Sequence, residues 1–210
     1  MIKHYKAFIF GVFFFFLSSN AYAACVNKKL VILGDSLVAG YGLAPGEAYP
    51  EQLGKVLGEK GIEIEIINAG VSGDTSSGGL ARLDWSVGEA DAVILELGAN
   101  DALRGIPVEI TKKNLENIIV RLKSQEKAIM LVGMMAPPNM GKIYGDGFNS
   151  IFPELVAKHD IAFYPFFLDG VAADPELNQA DGIHPTKQGI AIMVERSLPV
   201  VTQWLNGVCK

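Results

Sequence analysis

From Leu30 onward, short continuous apolar runs alternate with segments whose apolar residues recur at helical spacing. Leu30-Val31-Ile32-Leu33 and Val93-Ile94-Leu95 carry no polar face, the pattern of strands covered on both sides. Five strands are predicted: Leu30 to Leu33, Glu63 to Ile67, Ala92 to Leu97, Ala128 to Gly133 and Ala162 to Pro165. Between them, Tyr49, Leu53, Val56 and Leu57 fall at i, i+4, i+7 and i+8, and Leu115, Ile118, Ile119 and Leu122 at i, i+3, i+4 and i+7. Each set makes one apolar helix face. Further helices are predicted from about Ser76 to Val87, from Lys142 to His159 and from Lys187 to Leu205. The alternation argues for an α/β fold, a parallel sheet with helices on both faces. No repeat or linker divides it. Ligands of open parallel sheets bind beyond the carboxyl ends of the strands, so the loops following the strands are where chemistry is expected.

The segment ahead of Leu30 reads differently. A basic start (Lys3, His4, Lys6), an apolar stretch from Ala7 to Leu17 and the small-residue end Ala21-Tyr22-Ala23 make residues 1–23 a targeting signal. As a helix this stretch spans about 16 Å, short of the roughly 30 Å of a bilayer core. Cleavage after Ala23 leaves a single domain, residues 24–210, exported to the periplasm or secreted, with no stable membrane span. At 50% hydrophobic and 20% charged residues, the chain is neither disordered nor a multi-span membrane protein. Removing Lys3 and Lys6 takes the 18 basic residues to 16 against 23 acidic, so the formal charge of −5 becomes −7. That balance offers no basic stripe for nucleic acid. Cys25 and Cys209 remain at opposite ends of the exported chain. They are placed to form a bridge in an oxidising compartment. The competing reading is a lipid anchor through an acylated Cys25, although Tyr22 stands where such signals carry a Leu-like residue.

Four loops hold the candidate chemistry. Gly34-Asp35-Ser36-Leu37 follows the first strand and sets a serine hydroxyl and its own N–H facing one space; the plainer reading is that Asp35 or Ser36 caps a helix. The nucleophile elbow of α/β-hydrolases is not matched, because Val38 stands where its second glycine belongs. Asn68 to Thr75 follows the second strand, and Gly73 within it lets the backbone approach a ligand with its N–H unobstructed. Gly98-Ala99-Asn100-Asp101 follows the third and supplies a side-chain amide, though an Asn before an Asp is ordinarily a turn residue. Asp181-Gly182-Ile183-His184-Pro185 is the last. Beyond the leader only His159 and His184 remain; His159 ends a predicted helix as a solvated residue, which leaves His184 as the candidate general base. Asp181, three residues earlier, is placed to accept from one imidazole nitrogen while the other faces Ser36.

These four segments, together with Ser72-Gly73-Asp74-Thr75-Ser76, Gly79-Leu80-Ala81-Arg82-Leu83 and Pro165-Phe166-Phe167, resemble the sequence blocks of the SGNH (GDSL) hydrolases, nearest to their periplasmic multifunctional thioesterase subgroup. The similarity runs from Leu30 to about Leu205. It implies a three-layer α/β/α fold with a five-stranded parallel sheet of flavodoxin-like order. It implies catalytic Ser36, Asp181 and His184, with an oxyanion hole from the Ser36 and Gly73 N–H groups and the Asn100 side chain. Expected substrates are small acyl esters, acyl thioesters, lysophospholipids and aryl esters, handled by a monomer without metal or organic cofactor. Leu103, Ile106 and Pro107, and Met134 to Pro137 with Met135 and Pro137 foremost, are expected to flank the acyl chain. A carbohydrate O-acetyl esterase of the same fold is the alternative reading.

Overall fold

The computed structural model describes Met1 and residues 25–210; the rest of the expected leader lies outside the described residues. Five parallel strands, β1 (Lys29–Gly34), β2 (Glu65–Gly70), β3 (Ala92–Leu95), β4 (Ala128–Val132) and β5 (Ala162–Tyr164), form one sheet in the order β2-β1-β3-β4-β5. Every side chain of β3, and every one of β1 after Lys29, is buried, whereas the edge strands β2 and β5 are only partly covered. This is why the unbroken apolar runs lie at the centre of the sheet.

Helices α2 (Tyr49–Glu59) and α8 (Lys187–Val208) pack together in one layer, where the Tyr49 and Ser197 hydroxyls meet at 2.8 Å. The opposite layer contains α3 (Ser76–Ala81), α4 (Leu83–Val87), α6 (Val108–Ser124) and α7 (Lys142–His159). Leu115, Ile118, Ile119 and Leu122 form the buried face of α6. Two short helices, α1 (Ser36–Ala39) and α5 (Ala99–Leu103), start at the ends of β1 and β3. The strand order reverses between β1 and β3, and the crevice outside that switch point is where open α/β sheets take ligands.

Several boundaries depart from the sequence pattern. The second strand runs Glu65–Gly70 rather than Glu63 to Ile67, because Asn68, Ala69 and Gly70 keep pairing with Ile32, Leu33 and Gly34. A methyl group on Gly70 would lie 2.2 Å from the Ala39 nitrogen, so only glycine lets α1 rest on that strand. The third strand stops at Leu95, the fourth at Val132 and the fifth at Tyr164. The helix expected over Ser76 to Val87 breaks at Arg82, whose guanidinium bonds Asp74, Ser86 and the Gly34 carbonyl. Cys25 and Cys209 are joined as a disulfide, tying the start of the fold to the end of α8.

Candidate active site

Asp35 and Ser36 stand where β1 gives way to α1. Asp35 caps the helix: its Oδ1 accepts the Leu37 N–H at 3.0 Å, and Ser36 opens the first turn with its hydroxyl in the cleft. The capping reading and the reactive-serine position thus coexist in adjacent residues. The last loop folds as a tight hairpin, with Asn178 bridging Pro185 and the Thr186 N–H donating to the Leu177 carbonyl at 2.8 Å. Gly182 turns its tip at φ +75°. Gln179 locks this loop to the α1 side by donating from Nε2 to the Tyr41 carbonyl at 2.7 Å and the Pro185 carbonyl at 2.9 Å.

That folding brings three distant side chains into line. His184 Nε2 lies 2.9 Å from Ser36 Oγ, and His184 Nδ1 lies 2.7 Å from Asp181 Oδ2. Asp181 Oδ1 also accepts the N–H groups of Ile183 and His184, at 3.0 and 3.1 Å. The imidazole bond, followed by these two backbone donors, holds the Asp181 carboxyl down at about 2. The Tyr41 ring lies against the imidazole, centroids 4.5 Å apart.

Gly73 sits in a turn closed by the Asp74 N–H donating to the Val71 carbonyl at 3.0 Å, with φ +81°. Asn100, on the first turn of α5, lines the same cleft as Ser36, Gly73 and His184. Its Nδ2 spends one hydrogen on Asp35 Oδ2 at 3.0 Å, and an amide nitrogen has a second to offer. The arrangement suits acyl transfer, with a hydroxyl, a base bonded to it, a carboxylate behind the base, and Gly73 and Asn100 lining the same cleft.

Beneath the serine lie two buried carboxyls. Asp35 and Glu96 are both fully enclosed, and the Asp35 N–H donates to Glu96 Oε2 at 3.2 Å. Burial pushes Asp35 up to about 6, against the Leu37 and Asn100 donors that favour its charge. Burial first, and then the Asp35 charge, raise Glu96 well above the usual carboxylate range. Sequence reasoning passed over Glu96, although a lone carboxylate closing the apolar run Ala92 to Leu97 was a visible signal. It also missed Gln179 and Tyr41, whose roles depend on contacts across more than a hundred residues.

The cleft encloses about 520 Å³. Leu103 and Met134 to Pro137 line it as expected, joined by Phe166 and Leu168. Ile106 and Pro107 do not. Gly105, just beyond α5, turns the chain away at φ +61°; the Ile106 carbonyl then accepts the Tyr144 hydroxyl at 2.9 Å, and Pro107 borders a separate surface hollow beside Met140 and Ile143. His159 is likewise not a solvated residue: its Nε2 meets Glu116 Oε1 at 3.0 Å with 11% of the side chain exposed. Among the described residues no group of three or more His, Cys, Asp or Glu is placed to hold a metal ion, and no helix is long and apolar enough to cross a membrane.

Residues 32–192 match the GDSL-like Lipase/Acylhydrolase family. An arylesterase of Vibrio mimicus is 40% identical over 176 residues, covering 83% of this chain and 86% of that protein. The thioesterase 1/protease 1/lysophospholipase L1 of Escherichia coli K12 is 33% identical over 207 residues, covering 98% of this chain and 94% of that one. Among solved structures, the psychrotrophic esterase EstA of a Pseudoalteromonas species, inhibited by monoethylphosphonate, superposes with a TM-score of 0.81 at 33% identity. The match covers 86% of this chain and all of that one.

Proposed function

Because this chain belongs to the GDSL-like lipase/acylhydrolase (SGNH) family, its chemistry is serine-dependent hydrolysis of acyl esters and thioesters, and we propose that Ser36, His184 and Asp181 carry it. The observation that supports these roles most strongly is the unbroken relay Ser36 Oγ, His184 Nε2, His184 Nδ1, Asp181 Oδ2, with links of 2.9 and 2.7 Å.

Neutral His184, its Nδ1–H held by Asp181, accepts the Ser36 proton at Nε2 as Oγ attacks the acyl carbon. Asp181 keeps the tautomer and stabilises the imidazolium without taking the proton itself. Charge gathers on the former carbonyl oxygen, which the N–H groups of Ser36 and Gly73 and the free Asn100 amide hydrogen receive. Collapse of this intermediate expels the alcohol or thiol, protonated by His184 where required, and leaves an acyl-serine. Water, activated by the same imidazole, then attacks the acyl carbon and releases the acid. Stabilising the oxyanion is the largest contribution expected, since one such donor is worth roughly 100-fold to 1,000-fold in rate.

Leu103, Met134, Met135, Pro137, Phe166 and Leu168 give the cleft an apolar lining, which favours medium to long acyl chains over the acetyl groups of the carbohydrate-esterase reading. Lysophospholipids and aryl esters, processed by a monomer, belong to the same proposal. We propose export of the mature chain from Ala24, a reading that the Cys25–Cys209 bridge supports; the intact mass of the exported protein tests it, as acylation of Cys25 would add several hundred daltons. Wild type and Ser36→Ala assayed on p-nitrophenyl esters from acetyl to palmitoyl, on palmitoyl-CoA and on acetylated xylan test the whole reading. The serine variant is expected to lose all turnover, and a wild-type preference for xylan acetate would move the enzyme to the other substrate class.

A further inference from the structure

Gly73 occupies the tip of its turn at φ +81°, in backbone that glycine enters and leaves readily. The flanks of the turn are anchored. The Val71 N–H donates to the Gly34 carbonyl at 3.0 Å, and Asp74 Oδ2 accepts from Arg82 Nε at 2.7 Å. The Asp74 N–H closes the turn on the Val71 carbonyl at 3.0 Å, and none of these bonds takes up the Gly73 carbonyl at the tip. The Gly73 carbonyl is taken by Arg104, whose Nη2 donates to it at 2.7 Å. Arg104 is the residue that closes α5, and its own N–H donates to the Asn100 carbonyl at 3.1 Å. One turn of helix therefore carries the Asn100 amide at its start and, at its end, the clamp on the carbonyl of the residue that supplies the other donor. The far side of Asn100 is fixed as well, through Nδ2 on Asp35.

We propose that Arg104 is a positioning residue for the oxyanion hole: by pinning the Gly73 carbonyl to the end of α5, it holds the Gly73 N–H and the Asn100 amide in one fixed register around the acyl oxygen. This rests on the oxyanion-hole roles proposed above. The bond leaves no contact between Arg104 and the reacting atoms, so its effect is transmitted through Gly73. A donor that wanders by half an ångström loses much of its value at the transition state and little in substrate binding. Arg104 is nonetheless exposed beside the cleft-lining Gly73, where a cation could instead meet the phosphates of an anionic leaving group. Arginine chemistry allows both, and the two make opposite kinetic predictions.

Arg104→Met and Arg104→Lys, with wild type and Ser36→Ala, are to be assayed on a neutral substrate, p-nitrophenyl hexanoate, and on hexanoyl-CoA. The binding of an alkyl trifluoromethyl ketone, whose serine adduct carries the oxyanion, is measured in parallel. Arg104→Met is expected to lower kcat roughly 10-fold on both substrates with KM within about 2-fold, to weaken the ketone by a similar factor, and to be partly rescued in Arg104→Lys. Unchanged kcat on both substrates would overturn the proposal, as would a loss confined to the KM of the CoA thioester. Should Arg104→Met fail to fold, Arg104→Gln carries the same comparison. Activity persisting in Ser36→Ala would refute the site reading itself, whereas a dead serine variant beside a fully active Arg104→Met would refute only the role of Arg104.

Discussion

Asn100→Ala removes two bonds with one amide, and their consequences separate. The first is the oxyanion donor, whose loss costs roughly 2.7 to 4 kcal/mol of activation free energy, a fall in kcat of about 100-fold to 1,000-fold. The second is the 3.0 Å bond to Asp35 Oδ2. Asp35 is fully buried and keeps only the Leu37 N–H on Oδ1 once Asn100 is truncated. A buried acceptor left without its donor costs on the order of 1 to 3 kcal/mol of stability. That cost applies to the charged carboxyl, which in wild type forms above about 6; the variant pushes the transition higher still. Folding is therefore expected to be near wild type at pH 5 and weakened at pH 8. The assay is kcat and KM on p-nitrophenyl hexanoate, with urea midpoints at both pH values. A rise in KM at constant kcat would refute the oxyanion role, and equal destabilisation at pH 5 and pH 8 would refute the account of Asp35.

Three further outcomes are expected. Asp181→Asn should leave the fold intact and lower kcat by as much as about 10⁴-fold, because an amide no longer selects the imidazole tautomer; in wild type, with Asp181 at about 2, its support of His184 is complete above the ordinary carboxylate value and fades only as pH falls from there toward 2, so a profile limited by Asp181 near neutrality would contradict the assignment. Glu96 has its pKa raised by burial, which lowers stability as pH climbs above its unfolded value; Glu96→Gln, neutral in both states, should gain in Tm over wild type between pH 4 and pH 8, and a difference independent of pH would mean that Glu96 is not held protonated. Cys209→Ser opens a bridge spanning 184 residues, and chain entropy for such a loop sets a ceiling of about 5 kcal/mol, with about 2 to 4 expected; an unchanged urea midpoint would show that the bridge adds nothing.

The centre of the sheet was legible because β3, and β1 after Lys29, are buried and carry no polar residues; the edges were not. On β2, Asn68, Ala69 and Gly70 look like a turn from composition, yet pairing with β1 extends the strand through them, a tertiary preference that outweighs local propensity. The predicted helix over Ser76 to Val87 failed at Arg82, whose side chain is claimed by Asp74 and the Gly34 carbonyl. At the site, the convergence of Ser36, Asp181 and His184 was legible from the four sequence blocks taken together and the family they resemble, whereas each block alone allowed a plainer reading. Ile106 and Pro107 misled because apolar residues near a reactive loop say nothing of the turn at Gly105 that carries them off. Glu96, Gln179 and Arg104 act through partners distant in the chain, and no local pattern announces such contacts.

The convergence of Ser36 and His184 is tested most directly by treating the folded protein with a fluorophosphonate and locating the adduct by peptide mass spectrometry. The account predicts one phosphonylated residue, Ser36, with labelling lost in parallel with hydrolysis in His184→Ala. An adduct at any other residue, or undiminished labelling without His184, would contradict it.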